Sequence, residues 1–170
     1  MNVFTEEIVK RLAAEGVEYL IVGGVSAVLQ GATITTRDLD ICYRRTPGNA
    51  ARLARALAPL KPRARGFPPD LPFIFDETTI INGCNFTLMI GDEDIDLLGE
   101  MSAIGNYEQI IDTAQEIDLD GVRVKLLSLE HLIATKTAAN RPKDLAVLPE
   151  LQRLLEWRNK APGTTSQPNE

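Results

Sequence analysis

The sequence predicts an α+β domain built on a mixed, largely antiparallel sheet. Three observations predict it. The segments read helix, strand, helix, strand, helix, then two hairpins and two helices, which is not a regular βαβ alternation. Two turn signals, Gly91-Asp92 and Asp120-Gly121, separate short apolar runs of strand length. A doubly wound parallel sheet needs crossover helices between its strands, and this order lacks them. Helices are expected on one face of the sheet.

Each element has a local reason. Thr5, followed by Glu6 and Glu7, reads as a helix start with a capping hydroxyl and acids in the first turn. Ile8, Leu12 and Ala13 form its inner stripe, and Gly16 ends it. Tyr19–Val22 is an apolar run before a glycine pair, as in a buried strand. Val25–Gln30 reads as a short helix stopped by Gly31. Asp38–Tyr43 alternates, with Asp38, Asp40 and Cys42 on one face and Leu39, Ile41 and Tyr43 on the other. Asn49–Leu57 is helical, and the five prolines of Pro59–Pro72 mark a surface loop. Phe86–Ile90 with Asp94–Leu98, and Gln115–Leu119 with Val122–Leu126, read as hairpins; Tyr107–Ala114 reads as a helix between them. Ser128 caps a helix to about Ala139, and Pro142 begins a last helix reaching about Trp157.

A chain of 170 residues suits one domain with a complete core, here residues 1–158, with 159–170 expected to be a disordered tail. The 44% apolar and 25% charged content is ordinary for a globular protein. A net charge of −6 argues against a protein that coats nucleic acid non-specifically, although Arg44, Arg45, Arg63 and Arg65, or Lys136, Arg141 and Lys143, leave room for a local basic groove. Cys42 and Cys84 lack metal-ligand spacing and read as reduced thiols. Glu6, Glu7 and Lys10 interrupt any signal-peptide core, so a cytoplasmic location without a membrane partner is expected.

The chemistry concentrates at Val22–Ile41, VGGVSAVLQGATITTRDLDI. Residues i and i+2 of a strand share a face about 6.6 Å apart, and two carboxylates at that separation repel by about 2.5 kcal/mol at an effective dielectric near 20. A divalent cation turns this repulsion into attraction, and Mg²⁺ prefers such oxygen ligands. Asp96, arriving from a neighbouring strand, would complete a set of three carboxylates able to hold two metals about 3.5–4 Å apart. Gly23-Gly24 lets backbone N–H groups approach an anion with no Cβ in the way, and Ser26 adds a hydroxyl. No third glycine completes a dinucleotide fingerprint, and no Lys-Ser/Thr completes a P-loop.

Val22-Gly23-Gly24 followed by Asp38-Leu39-Asp40-Ile41 resembles the signature of the DNA polymerase β-like nucleotidyltransferase superfamily, spacing included. Asp96-Leu97-Leu98-Gly99-Glu100 is similar to the strand carrying that family's third carboxylate. Ser128–Ile133 and Lys136…Arg141-Pro142-Lys143-Asp144 resemble the C-terminal segment of small bacterial members related to type IV abortive-infection nucleotidyltransferase toxins. The resemblance spans roughly residues 18–150 and implies the nucleotidyltransferase fold. It also implies that Asp38, Asp40 and Asp96 are catalytic and bind Mg²⁺ or Mn²⁺. Gly23, Gly24, Ser26 and Lys136 would then bind the nucleotide. Asp94 shares a face with Asp96, but the family pattern favours Asp96. Asp144 is expected to complement the start of the last helix, and His131 has no catalytic role. The resemblance departs at Ile34, where some members carry an arginine.

The implied activity moves a nucleoside monophosphate from an NTP to an acceptor hydroxyl on RNA (tRNA in particular), protein or a small molecule. The alternatives are a non-catalytic nucleotide-binding or toxin–antitoxin module on the same fold, with a toxin–antitoxin partner, and a metal-dependent nuclease. The nuclease needs the same acids but gives the glycine pair no role.

Overall fold

The computed structural model describes residues 2–68 and 70–160. Helix α1 (Val3–Ala14) leads into β1 (Tyr19–Val22), α2 (Gly23–Leu29), β2 (Leu39–Tyr43) and α3 (Pro47–Leu57). A short edge strand, β3 (Arg63–Ala64), and a six-residue helix, α4 (Glu77–Asn82), precede the hairpin β4 (Asn85–Ile90) and β5 (Glu93–Leu98). A small ribbon of β6 (Glu100–Met101) and β7 (Gly105–Asn106) and the single-turn α5 (Tyr107–Ile110) follow. The hairpin β8 (Gln115–Leu119) and β9 (Val122–Leu126) and the helices α6 (Leu129–Ala139) and α7 (Pro142–Lys160) complete the order.

Seven strands form one sheet in the order β3-β4-β5-β2-β1-β9-β8. Two pairings, β1 with β9 and β2 with β5, are parallel, and the others are antiparallel. The α+β class and the mixed, largely antiparallel sheet are therefore as the sequence predicts. The helices are not confined to one face. Tyr19 and Ile21 of β1 and Leu39, Ile41 and Tyr43 of β2 join a core with Ile8, Leu12, Leu53 and Leu57, from α1 and α3. The opposite parity, Leu20, Val22 and Cys42, joins a second core with Ile110, Leu129, Leu132 and Leu151, from α5, α6 and α7. The central strands carry apolar residues on both faces, so both must be covered. Each large side chain buried there contributes about 1.5–3 kcal/mol.

Several boundaries differ for local reasons. Asn2, not Thr5, caps α1: its side chain accepts from the Thr5 backbone N–H at 2.8 Å, while Thr5 is buried inside the first turn. Helix α2 begins at the glycine pair itself. Within the proline-rich stretch, β3 pairs with β4, and beyond it Asp76 caps α4 through the Thr79 N–H. Asn159 and Lys160 continue α7 rather than starting a tail, and the tail expected from Ala161 onward lies outside the described residues. No helix among the described residues is long and apolar enough to cross a membrane.

One buried side chain ties the first two layers together. Asn49, at the start of α3, accepts from the Glu18 N–H at 2.8 Å and donates to the carbonyls of Glu18 and Arg44 at 2.9 and 2.8 Å. It is 1% exposed, and removing it leaves the Glu18 N–H without a partner, while the two carbonyls keep the backbone N–H groups of Arg44 and Thr46. Asn49→Ala is expected to cost about 1–3 kcal/mol, read as a lower urea midpoint with an unchanged m-value.

Candidate active site

Strand register builds the centre of the site. Strands β2 and β5 run parallel with Asp40 directly opposite Asp96, and Val22 of β1 stands opposite Asp40 on its other side. The same row continues outward, because Thr87 of β4 pairs with Asp96. Side chains opposite one another in neighbouring strands share a face, so the two carboxylates project together. Asp38 lies just before β2, and its charge acts on both.

The electrostatics follow from this crowding. Burial, then the charge of Asp96, then that of Asp38, push the Asp40 carboxyl up from 3.8 to about 7, against the pull of Lys136 and Lys143. Asp96 is also raised, first by burial, with the Arg65 guanidinium opposing. Arg65 donates to Asp96 at 2.9 Å and to Asp94 at 3.1 Å. In the sequence this arginine reads only as one member of a possible basic groove with Arg44, Arg45 and Arg63. The period-two pair Arg63 and Arg65 was its only signal, obscured by flanking prolines.

The two glycines act differently from one another. Gly23 lies in the left-handed region at φ +59, and a Cβ there would land on the Asp40 carboxylate. Glycine is thus required for Asp40 to sit where it does. A Cβ on Gly24 would instead meet Thr36 Oγ1 at 2.5 Å. Gly24 therefore seats the loop that leads to Asp38, rather than leaving the expected open space for an anion. Ser26 needs a firmer correction. It is fully buried, donates to the Leu127 carbonyl at 3.2 Å and accepts from Gln30 at 3.1 Å. Its hydroxyl holds α2 against the end of β9 and does not reach the cleft.

Lys136 comes from α6 to the same cleft as Gly23, Asp40 and Asp96, a space of about 370 Å³. Its ammonium donates to Asp144 at 2.7 Å. Asp144 is completely buried and also accepts from Arg141. Burial alone would raise its carboxyl, but the hydrogen bonds from Arg141 and Lys136 outweigh this and hold it below the usual range. Asp144 is thus an ionic hub joining the two terminal helices, not merely a helix-start acid. It fixes Lys136, whose other N–H donors remain available to an anion. His131 contacts Thr113 and does not line the cleft.

The donor set at the centre is all oxygen, which suits a hard divalent cation. The repulsion among Asp38, Asp40 and Asp96 is the charge imbalance that such a cation relieves. Among the described residues, however, no group of three or more His, Cys, Asp or Glu side chains is already arranged to hold a metal. Arg65 occupies Asp96 instead.

Residues 77–161, half of the chain, match the family described as "Nucleotidyl transferase of unknown function (DUF2204)". No curated protein matches the chain. Among solved structures, a protein from Thermotoga maritima described as a nucleotidyltransferase (TM1012) is similar, with a TM-score of 0.52 and 18% identity over 92% of this chain and 91% of that one. ANT(2'')-Ia in complex with adenylyl-2''-tobramycin gives a TM-score of 0.56 and 16% identity over 93% and 88%. The solution structure of the same antibiotic-resistance factor gives 0.55 and 16% over 95% and 87%. At these identities the likeness is one of fold.

Two outcomes follow from the geometry. From about pH 4 to about pH 7 the folded protein keeps the Asp40 proton that the unfolded chain has lost, so this group lowers stability as pH rises through that window. Asp40→Asn should gain on the wild type, by on the order of 2–4 kcal/mol, between pH 4 and pH 8 in parallel urea titrations; a constant difference contradicts the raised carboxyl. Gly23→Ala must displace Asp40 or abandon its own backbone conformation, and a stability loss of at least about 1 kcal/mol is expected.

Proposed function

Because the chain belongs to this nucleotidyl transferase family of unknown function, we propose that it moves a nucleoside monophosphate from an NTP to an acceptor hydroxyl. The observation that carries this reading is the pair Asp40 and Asp96, opposed in register and lining one cleft together with Lys136. A carboxylate pair and an ammonium lining one cleft suit a substrate that is itself a polyanion bound with a cation.

Nucleotidyltransferases generally use divalent metals. In this reading Asp40 and Asp96, with Asp38 beside them, hold Mg²⁺ or Mn²⁺. Bound there, such an ion would neutralise charge at the triphosphate and lower the pKa of the acceptor hydroxyl. Lys136 acts on the triphosphate as a point charge, kept in place by Asp144. Gly23 gives the chain its close approach next to Asp40. The acceptor oxygen attacks the α-phosphorus, the bond from that phosphorus to the bridging oxygen breaks, and pyrophosphate leaves with the electron pair. Asp96 receives the hydroxyl proton. Catalysis is then chiefly positioning and charge stabilisation. The acceptor is a hydroxyl of RNA, protein or a small molecule, the last being the class that ANT(2'')-Ia, of the same fold, carries adenylylated in its complex.

A second reading has one observation in its favour. The hold of Arg65 on Asp96 suits a non-catalytic nucleotide-binding or toxin–antitoxin module. Pyrophosphate release, measured with each of the four NTPs and Mg²⁺ or Mn²⁺ against RNA, protein and small-molecule acceptor pools, separates the two. The enzyme reading predicts release that depends on one NTP and one acceptor class; NTP binding with no release in any combination supports the module. Asp40→Asn and Asp96→Asn should each lower turnover by about 10²–10⁴-fold. Lys136→Ala should lower kcat/KM by roughly 10–100-fold, the worth of one charge-assisted hydrogen bond, whereas Lys143→Ala should change little.

A further inference from the structure

Arg65 lies one residue past β3, where its backbone N–H continues the ladder by donating to the Thr87 carbonyl at 2.8 Å. Thr87 stands opposite Asp96, and Asp96 opposite Asp40, so one row crosses four strand positions from Arg65 to Asp40. The Arg65 side chain reaches along this row over Thr87. It closes on Asp96 at 2.9 Å and on Asp94, two residues earlier on the same face of β5, at 3.1 Å. The planar guanidinium bridges the two carboxylates through separate nitrogens, Nε to Asp94 and Nη2 to Asp96, a fork that the single nitrogen of a lysine does not reproduce. The carboxylate row thus already holds a cation, and that cation belongs to the protein. Asp40, the other carboxylate of the pair, receives nothing from Arg65.

We infer that Arg65 is a resident counter-charge that competes with the divalent cation for Asp96, so that metal entry requires the guanidinium to leave. The inference rests on the reading that Asp40 and Asp96 take a divalent cation. It is consistent with the lack of a ready three-carboxylate group among the described residues, where Asp40 and Asp96 stand opposed and Asp38 acts on both through its charge. The latch is built to open. The Arg65 side chain is 35% exposed, one residue past the two-residue edge strand β3, so solvent can take up its charge on release. Held ion pairs at that exposure are weak enough for a divalent ion to displace. In the resting state Arg65 relieves part of the repulsion within the row, and the price is a lower affinity for metal in the absence of nucleotide.

The test is a Mn²⁺ titration of the full chain without nucleotide, following free Mn²⁺ by electron paramagnetic resonance. The wild type, Arg65→Gln, Arg65→Lys and Asp40→Asn are compared, with circular dichroism confirming the fold of each. Arg65→Gln is expected to bind Mn²⁺ about tenfold more tightly than the wild type. Arg65→Lys, which keeps the charge but loses the two-nitrogen fork, should show a smaller gain and serves alone if the glutamine variant does not fold. Asp40→Asn should bind at least tenfold more weakly. A merely structural role for Arg65 does not tighten metal binding. Equal or weaker binding on loss of Arg65, with binding still sensitive to Asp40→Asn, overturns this inference and leaves the metal reading standing. Absence of Mn²⁺ binding in every protein overturns both.

Discussion

The arrangement depends on one register: the parallel pairing of β2 with β5 that sets Asp40 opposite Asp96. It is held by apolar side chains rather than by the acids themselves. Leu39 and Ile41 on β2, and Ile95 and Leu97 on β5, are all fully buried on the opposite face. A slip of one residue in either strand would turn its two apolar side chains toward the cleft and its carboxylate into the core. The hydrophobic core therefore pins two like charges side by side against their repulsion. The raised Asp40 carboxyl, the glycine at position 23 and the guanidinium drawn over Thr87 are consequences of that constraint.

A second constraint comes from the end of the chain. Asp144 is wholly enclosed, yet it is charged, because Lys136 and Arg141 both donate to it. Removing one partner of such a buried group leaves an uncompensated charge. The turn between α6 and α7, with Asn140 in the left-handed region, brings the three residues together. Stability of the terminal helices and placement of Lys136 are thus the same interaction, and substitutions at Asp144 act on both.

The legible parts of the sequence were those with strong local period or fixed spacing. β1, β8 and β9 have the bounds their apolar runs predict, as does α6 with its Ser128 cap. Asp40 and Asp96 stand opposed, because the period of two places both on the cleft face of their strands, while Asp38 lies just before β2. What stayed hidden depends on contacts between distant segments. Strand β3 has two residues between prolines and exists only because β4 offers a partner. The burial of Ser26 is decided by the Leu127 carbonyl, and the need for glycine at 24 by Thr36. The bridge from Arg65 to Asp94 and Asp96 spans about thirty residues of sequence and two strand spacings, beyond any local pattern. The second covered face of the sheet was hidden likewise, since short continuous apolar runs do not say how many layers pack on them.

The central claim is that the opposed aspartates form a nucleotide-linked metal site, and crystals grown with Mn²⁺ and a non-cleavable α,β-imido NTP test it most directly. An anomalous difference map recorded at the manganese edge is predicted to show density bonded to oxygens of Asp40 and Asp96, with the triphosphate between that density and Lys136. Manganese density elsewhere, or nucleotide bound away from this cleft, would contradict the account.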